Sequence, residues 1–224
     1  MKPIVIIGDS SFAEIAHEYF IDAGYDVAAF LVHKAFLKNS HLLGKPILPL
    51  ENIRTLFPPS RYDAFVALTY REINRARQRI CNEMLDQGYK LVSYVSPYAF
   101  VAKSARIGDN CFIFENNVIQ SFVTIGNDVI VWSGNHIGHH SIIEDHVFLA
   151  SHVVISGHCR IGHHSFIGVN ATISNNINIG PANWIGPASL IMKDTQAGQM
   201  YRSEASKPSP LTSYRFFKIP DDQI

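Results

Sequence analysis

A branched aliphatic residue stands at every sixth position from Val101 to Ile191. The series runs through Ile107, Ile113, Ile119, Ile125, Val131, Ile137, Ile143, Leu149, Ile155, Ile161, Ile167, Ile173, Ile179 and Ile185 without a slip. An α-helix repeats about every 3.6 residues and a strand about every 2, so this period belongs to neither. It marks a hexapeptide parallel β-helix, in which each step is a short strand plus a corner. At three steps per coil the ladder makes roughly five stacked coils. Glycine follows the aliphatic at Gly108, Gly126, Gly138, Gly162, Gly168, Gly180 and Gly186. It is expected to let the backbone turn where a Cβ would clash.

Residues 1–95 read differently. Pro3 to Gly8 is an apolar run ending in Gly8-Asp-Ser-Ser-Phe, a buried strand followed by a turn. Residues 11–22 place Phe12, Ile15, Ala16, Tyr19 and Phe20 at helical spacing. Strands are expected from Asp26, from Ala64 and over 91–95, with helices over 49–56 and 72–87. Alternating strand and helix predict a parallel α/β domain of Rossmann-like topology, with ligands at the carboxyl ends of its strands. The expected organisation is therefore an α/β domain over 1–95, a β-helix over 96–192, and a tail over 193–224. That tail packs along the outside of the β-helix or against a neighbouring subunit.

Composition narrows the function. Lysine plus arginine and aspartate plus glutamate each number 19, for a net charge of zero, and no basic run occurs. Nucleic acid and anionic membrane are thus not expected partners. Three scattered cysteines fit a reducing, cytoplasmic setting better than a disulfide framework. Cys111 and Cys159 share one register position and read as small buried side chains. The first residues do not read as a signal peptide, and no apolar stretch is long enough to span a bilayer.

Eight of the eleven histidines fall between 136 and 164. Most read as polar residues at solvent-facing corners. The segment from Gly134 to Ile143 is different, because it gathers His136, His139 and His140. An imidazole is the natural general base for an amine or hydroxyl near neutral pH.

The run Asn127-Asp-Val-Ile-Val-Trp-Ser-Gly-Asn-His-Ile-Gly-His-His-Ser-Ile-Ile resembles the active-site coil of bacterial sugar acyltransferases of the NeuD/PglD type. The resemblance covers the whole chain and implies a left-handed β-helix behind a nucleotide-sugar-binding domain. It implies transfer of an acetyl group from acetyl-CoA to the amine of a nucleotide-linked amino sugar for bacterial surface glycans. It also implies a homotrimer with sites at subunit interfaces. The thioester is already activated, so no metal is required. The family's base falls on His139, with His136 as the competitor. His140 stands where the family has a carboxylate, so another group (Asn135, Glu144 or a backbone carbonyl) is expected to orient His139. The family's oxyanion donor falls on Gly157. Its acetyl-CoA contacts fall on Phe148, Gly157, Val169, Ala171, Gly186 and Ala188. Gly8, Ser10 and Ser11 stand in the first strand-to-helix turn, where N–H groups and the helix N-terminus favour phosphate, and the family's nucleotide-contacting regions fall on Val32, His33, Thr69, Tyr70 and Arg75. UDP, dTDP and GDP are not separable from these residues.

Three rivals remain at this level: an O-acetyltransferase acting on a sugar such as sialic acid, a non-enzymatic trimeric nucleotide-sugar sensor, and a γ-class carbonic anhydrase. The last has only His158 and His163 to echo its three-histidine metal site.

Overall fold

The six-residue ladder winds into three parallel sheets, stacked as in a left-handed β-helix, in a computed structural model that describes residues 1–220 and 223. Each two-residue strand pairs in parallel with the strand 18 residues away, as Val118–Ile119 does with His136–Ile137. The second residue of each strand is the ladder aliphatic, and from Ile113 to Ile191 every one is buried. Cys111, Val123, Val129, Val147, Val153, Cys159, Ala171 and Ile177 fill the prism corners between them. Branched chains suit this core because their stiff rotamers pack against identical neighbours one coil away.

The corner backbone corrects the expectation about glycine. The residue three places after the aliphatic is left-handed at every corner from Asn110 to Ala188. That position holds Asn110, Asn116, Phe122, Asp128, His140, His146, His152, His158, His164, Asn170, Asn176, Ala182 and Ala188, with glycine only at Gly134. Asn, Asp and His enter the left-handed region more readily than other residues with a Cβ. Five of the eight clustered histidines are therefore corner residues. The ladder glycines serve stacking instead. A Cβ on Gly162 would meet the Pro181 nitrogen at 2.6 Å, and one on Gly168 the Pro187 nitrogen at 2.7 Å.

The residue before each aliphatic points outward and gives each sheet its character. One sheet presents Phe112, Ile130, Phe148, Phe166 and Trp184 and is covered by the N-terminal layer. A second presents Arg106, Thr124, Ile142, Arg160 and Asn178. The third presents Phe100, Val118, His136, Val154, Thr172 and Leu190 and is uncovered, with Phe100 61% and Leu190 62% exposed.

The N-terminal layer comprises β1 (Ile4–Ile7), α1 (Ser11–Asp22), β2 (Val27–Val32), β3 (His41–Leu42), β4 (Lys45–Pro49), α2 (Ile53–Leu56), β5 (Asp63–Val66) and α3 (Arg75–Asp86). The sheet order is β3-β4-β2-β1-β5, parallel except for β3 against β4. Ile4, Ile6, Phe30 and Phe65 face α1 and the β-helix, while Val5, Ile7, Leu31 and Val66 face α2 and α3. Phe12, Phe20 and Phe65 surround Phe112, with ring centroids 5.4, 6.0 and 5.5 Å away.

The boundaries differ from the sequence expectation. Residues 91–95 divide between two layers: Leu91 bridges to Ala64, whereas Tyr94–Val95 forms the first rung of the β-helix beside Phe112–Ile113. At the other end, Met200–Tyr201 adds a rung beside Trp184–Ile185. From 202 to 220 the tail is exposed, and the Ser203 hydroxyl donates to the Pro187 carbonyl of the β-helix. The helix expected from 72 starts at Arg75, because Glu72, Ile73 and Asn74 are left-handed. Buried Asn74 donates from Nδ2 to the carbonyls of His164 and Ser165, which holds that turn against the β-helix. No helix among the described residues is long and apolar enough to cross a membrane.

Candidate active site

Ile137 and Ile143 fix one corner of the prism, and His139 and His140 project from it, both exposed. The His139 amide donates to Gln120 Oε1 at 2.9 Å. The two Nδ1 atoms of His139 and His140 lie 3.1 Å apart, so one carries the hydrogen and the other accepts it. With the proton on His139 Nδ1, its Nε2 holds a free lone pair.

Neither Asn135 nor Glu144 stands beside His139. Asn135 is buried and donates to the Trp132 carbonyl, and its Oδ1 accepts from the Val153 amide. Glu144 accepts from the His163 amide and pairs with Arg160. The neighbour is His140 itself, held outward at a left-handed corner with φ 59°. His136, the competing base, lies on the uncovered sheet rather than at the corner.

Gly157 lies under the His139 ring. A Cβ there would come within 2.8 Å of His139 Cε1 and 2.9 Å of its Nε2. The Gly157 amide has no hydrogen-bond partner among the described residues, whereas its neighbours do: Ser156 donates to Ile173 and His158 to His139. Gly138, on the coil before, makes room for it, since a Cβ on Gly138 would meet the Gly157 nitrogen at 2.5 Å. An open N–H beside a base is the element an oxyanion requires.

The acetyl-CoA contacts carried over from the family divide. Val169 is exposed and its amide, like that of Gly157, lacks a partner among the described residues. The amides of Ala171, Gly186 and Ala188 are already used, donating to Gly168, Tyr201 and Val169. Ala171 is wholly buried in the prism. Phe148 is also buried, stacked on Phe166 and edge-on to Tyr70, so its ring is occupied by packing rather than open to a ligand.

A cavity of about 670 Å³ opens at the carboxyl ends of β1, β2 and β5. Gly8, Ser10, Val32, His33 and Thr69 line it; Ser11, Tyr70 and Arg75 do not. Gly8 has φ 126°, and a Cβ there would meet the Ala67 carbonyl oxygen at 2.8 Å. Ser10 caps α1 without a side-chain cap bond and lines the cavity. Sequence reading missed three cations on the wall: Lys38, Arg71 and Arg79. Arg79 pairs with Glu72 through two bonds of 2.9 and 3.0 Å. The arginine-rich start of α3 is a sequence signal for Arg79 alone, since Lys38 and Arg71 lie outside that helix. A second hollow of about 780 Å³ is lined by Glu18, Asp22 and Glu115 and by no cation, which disfavours a phosphate.

Also missed was the polar lock beneath the cavity. Buried Arg77 donates from Nε to Asp128 Oδ1 at 2.7 Å and from its terminal nitrogens to the carbonyls of Leu68, Thr69 and Asp128. His146 Nδ1 meets Asp128 Oδ2 at 2.8 Å. Burial alone would raise the Asp128 carboxyl, but the Arg77 charge and bonds from His146 and Asn110 outweigh it and hold it below its usual range. Beside it, burial chiefly lowers the His164 imidazole to about 4. Asn110 Oδ1 accepts from the Val66 amide at 2.8 Å, tying β5 to the same cluster.

Comparison with known proteins agrees with this architecture. The model of bacterial transferase hexapeptide repeats matches residues 104–139. A sequence comparison with curated proteins finds no match. Among solved structures, a histidine variant of perosamine N-acetyltransferase from Caulobacter crescentus, in complex with CoA and GDP-perosamine, is 23% identical. It covers 89% of this chain and 93% of its own, with a TM-score of 0.81. The acetyltransferase domain of PglB from Neisseria gonorrhoeae is 23% identical over 89% and 96%, with a TM-score of 0.80. WeeI from Acinetobacter baumannii is 18% identical over 89% and 96%, with a TM-score of 0.79. The chain shares their fold.

Proposed function

We propose that this chain is an acetyl-CoA-dependent N-acetyltransferase acting on the amine of a nucleotide-linked amino sugar. The observation that carries the reading is the His139 ring lying over the unpartnered Gly157 amide, with His140 Nδ1 beside it. The neutral amine attacks the thioester carbonyl carbon. His139 Nε2 takes the amine proton as the C–N bond forms. The Gly157 N–H stabilises the oxyanion, and the C–S bond then breaks to release CoA as the thiol. His140 accepts from His139 Nδ1 and fixes the tautomer, the part a carboxylate takes in related dyads. The open amide at Val169 suits the pantetheine arm. The relatives in fold include N-acetyltransferases crystallised with CoA and GDP-perosamine, which supports both substrates.

In this reading the N-terminal layer is a Rossmann-like domain whose cavity takes the nucleotide. Lys38, Arg71 and Arg79 oppose Asp9 and Glu72 there, an excess of positive charge suited to a diphosphate. The layer covers one sheet, while His139 projects from the corner between the other two. A sugar held in the cavity therefore reaches the His139 of a second copy, and the enzyme works as a trimer. The uncovered apolar sheet bearing Phe100, Val118, Val154 and Leu190 supplies the interface.

The test is a screen of UDP-, dTDP- and GDP-linked amino sugars for acceptor-dependent loss of acetyl-CoA thioester. Turnover with one of them, and none with its N-acetylated form, is expected. Binding of such sugars with no thioester loss for any of them would overturn the enzymatic reading.

A further inference from the structure

We propose that His139, His140 and His158 bind one divalent transition-metal ion of the zinc class, and that its occupancy stops acetyl transfer. The second part rests on His139 being the base.

All three rings are exposed, and each offers a ring nitrogen within 4.8 Å of the other two. The His140 and His158 rings stack at 4.8 Å and 13°, and His139 stands edge-on to both, at 5.3 and 5.0 Å. The scaffold sets this arrangement. His140 and His158 occupy equivalent left-handed corners of successive coils, and the His158 amide donates to the His139 carbonyl at 2.9 Å. Phe122 lies under His140 at 4.7 Å and closes the column from below.

The donor set selects the ion. Three neutral imidazoles and no carboxylate suit zinc, copper or nickel, not magnesium or calcium. Zinc–nitrogen bonds are about 2.0–2.1 Å, which puts the nitrogens of a tetrahedral site about 3.4 Å apart. The 3.1 Å pair already lies near that spacing. Small rotations of exposed rings bring in the third nitrogen. Three ligands leave the fourth position for water.

The neighbouring pair His163 and His164 makes a contrast. Its Nδ1 atoms are 2.8 Å apart, but His164 is buried and its Nε2 is engaged by Gln78. The third ring there, His146, packs on His164 at 4.8 Å but its Nδ1 is engaged by Asp128, so that corner lacks three free imidazoles.

Coordination consumes imidazole lone pairs. With the metal on His139 Nδ1, the ring hydrogen sits on Nε2, which then has no lone pair for the amine proton. The metal thus acts as an inhibitor rather than a cofactor.

The experiment uses the full chain, zinc chloride and equilibrium dialysis with elemental analysis. About one zinc per chain is expected. His158→Asn keeps a residue suited to the left-handed corner and should weaken binding by about tenfold or more. Transfer is followed by thioester absorbance, because a released thiol itself binds zinc. Zinc should abolish wild-type transfer, a chelator should restore it, and His158→Asn should transfer normally and resist the same zinc concentration. Absence of stoichiometric zinc, or equally tight binding by His158→Asn, overturns the proposal. Zinc held through His158 by a chain that transfers no acetyl group keeps the metal site and overturns the functional reading beneath the inhibition.

Discussion

His139 fills the space that a side chain on Gly157 would occupy: its Nε2 lies 2.9 Å from the position of a Cβ on that glycine. Base and open amide therefore constrain each other. His139→Ala should reduce kcat by about 10²–10⁴-fold while acetyl-CoA binding persists. Gly157→Ala should displace the ring and cost about 10²-fold with His139 intact. Initial rates and a separate acetyl-CoA titration check both. A near-normal His139→Ala beside an inactive His136→Ala would move the base to His136.

His140 and His139 share one hydrogen between Nδ1 atoms 3.1 Å apart. His140→Asp restores a carboxylate at a corner where φ is 59°, which aspartate accepts. It should hold His139 more basic and move the acid limb of the kcat/KM profile to higher pH. An unmoved limb would show that His140 does not orient the base.

Arg77 and Asp128 form a buried pair at 2.7 Å that joins α3 to the β-helix. Arg77→Met strands the Asp128 charge and should cost about 3–5 kcal/mol by denaturant unfolding. A loss under about 1 kcal/mol would mean the lock is replaced by other contacts.

The fold treats glycine and the corner residue differently. Gly162→Ala drives a Cβ to 2.6 Å from the Pro181 nitrogen and should lower Tm, although φ at Gly162 is ordinary. His152→Asn, left-handed at φ 58°, should stay within about 0.5 kcal/mol of the parent. His152→Val at the same corner should cost about 1–2 kcal/mol. Thermal melts of the three variants separate stacking from turning.

Stability should fall with acid through His164. Its imidazole titrates near 6.5 when unfolded and is lowered to about 4 when folded. The unfolded chain then binds the extra proton, so this contribution is full above about pH 6.5 and is lost as pH falls toward 4. The slope from one such group is at most about 1.4 kcal/mol per pH unit. His164→Asn should flatten the Tm profile in that window. An unchanged profile would assign the loss elsewhere.

The β-helix was legible because each ladder residue meets its own kind one coil away, so the period in sequence is the contact in space. The same register brought His139 to Gly157 across one coil. Other features were illegible for equally physical reasons. The left-handed corners followed from coil geometry and not from the glycines that drew attention. Phe148 read as a ligand contact until the N-terminal layer covered it. Arg77, Asp128 and Asn110 are far apart in the chain and meet only because that layer docks on the β-helix. Lys38, Arg71 and Arg79 reach the cavity from three separate segments.

The sequence by itself determined the prism, its register and the coil on which each histidine sits, since a repeated local unit can bury its aliphatics only by stacking. Tertiary structure decided the rest. Which sheet is covered, which stays open, which ring turns toward His139 and which cations line the cavity all depend on docking between distant segments. Nothing in a local period encodes that.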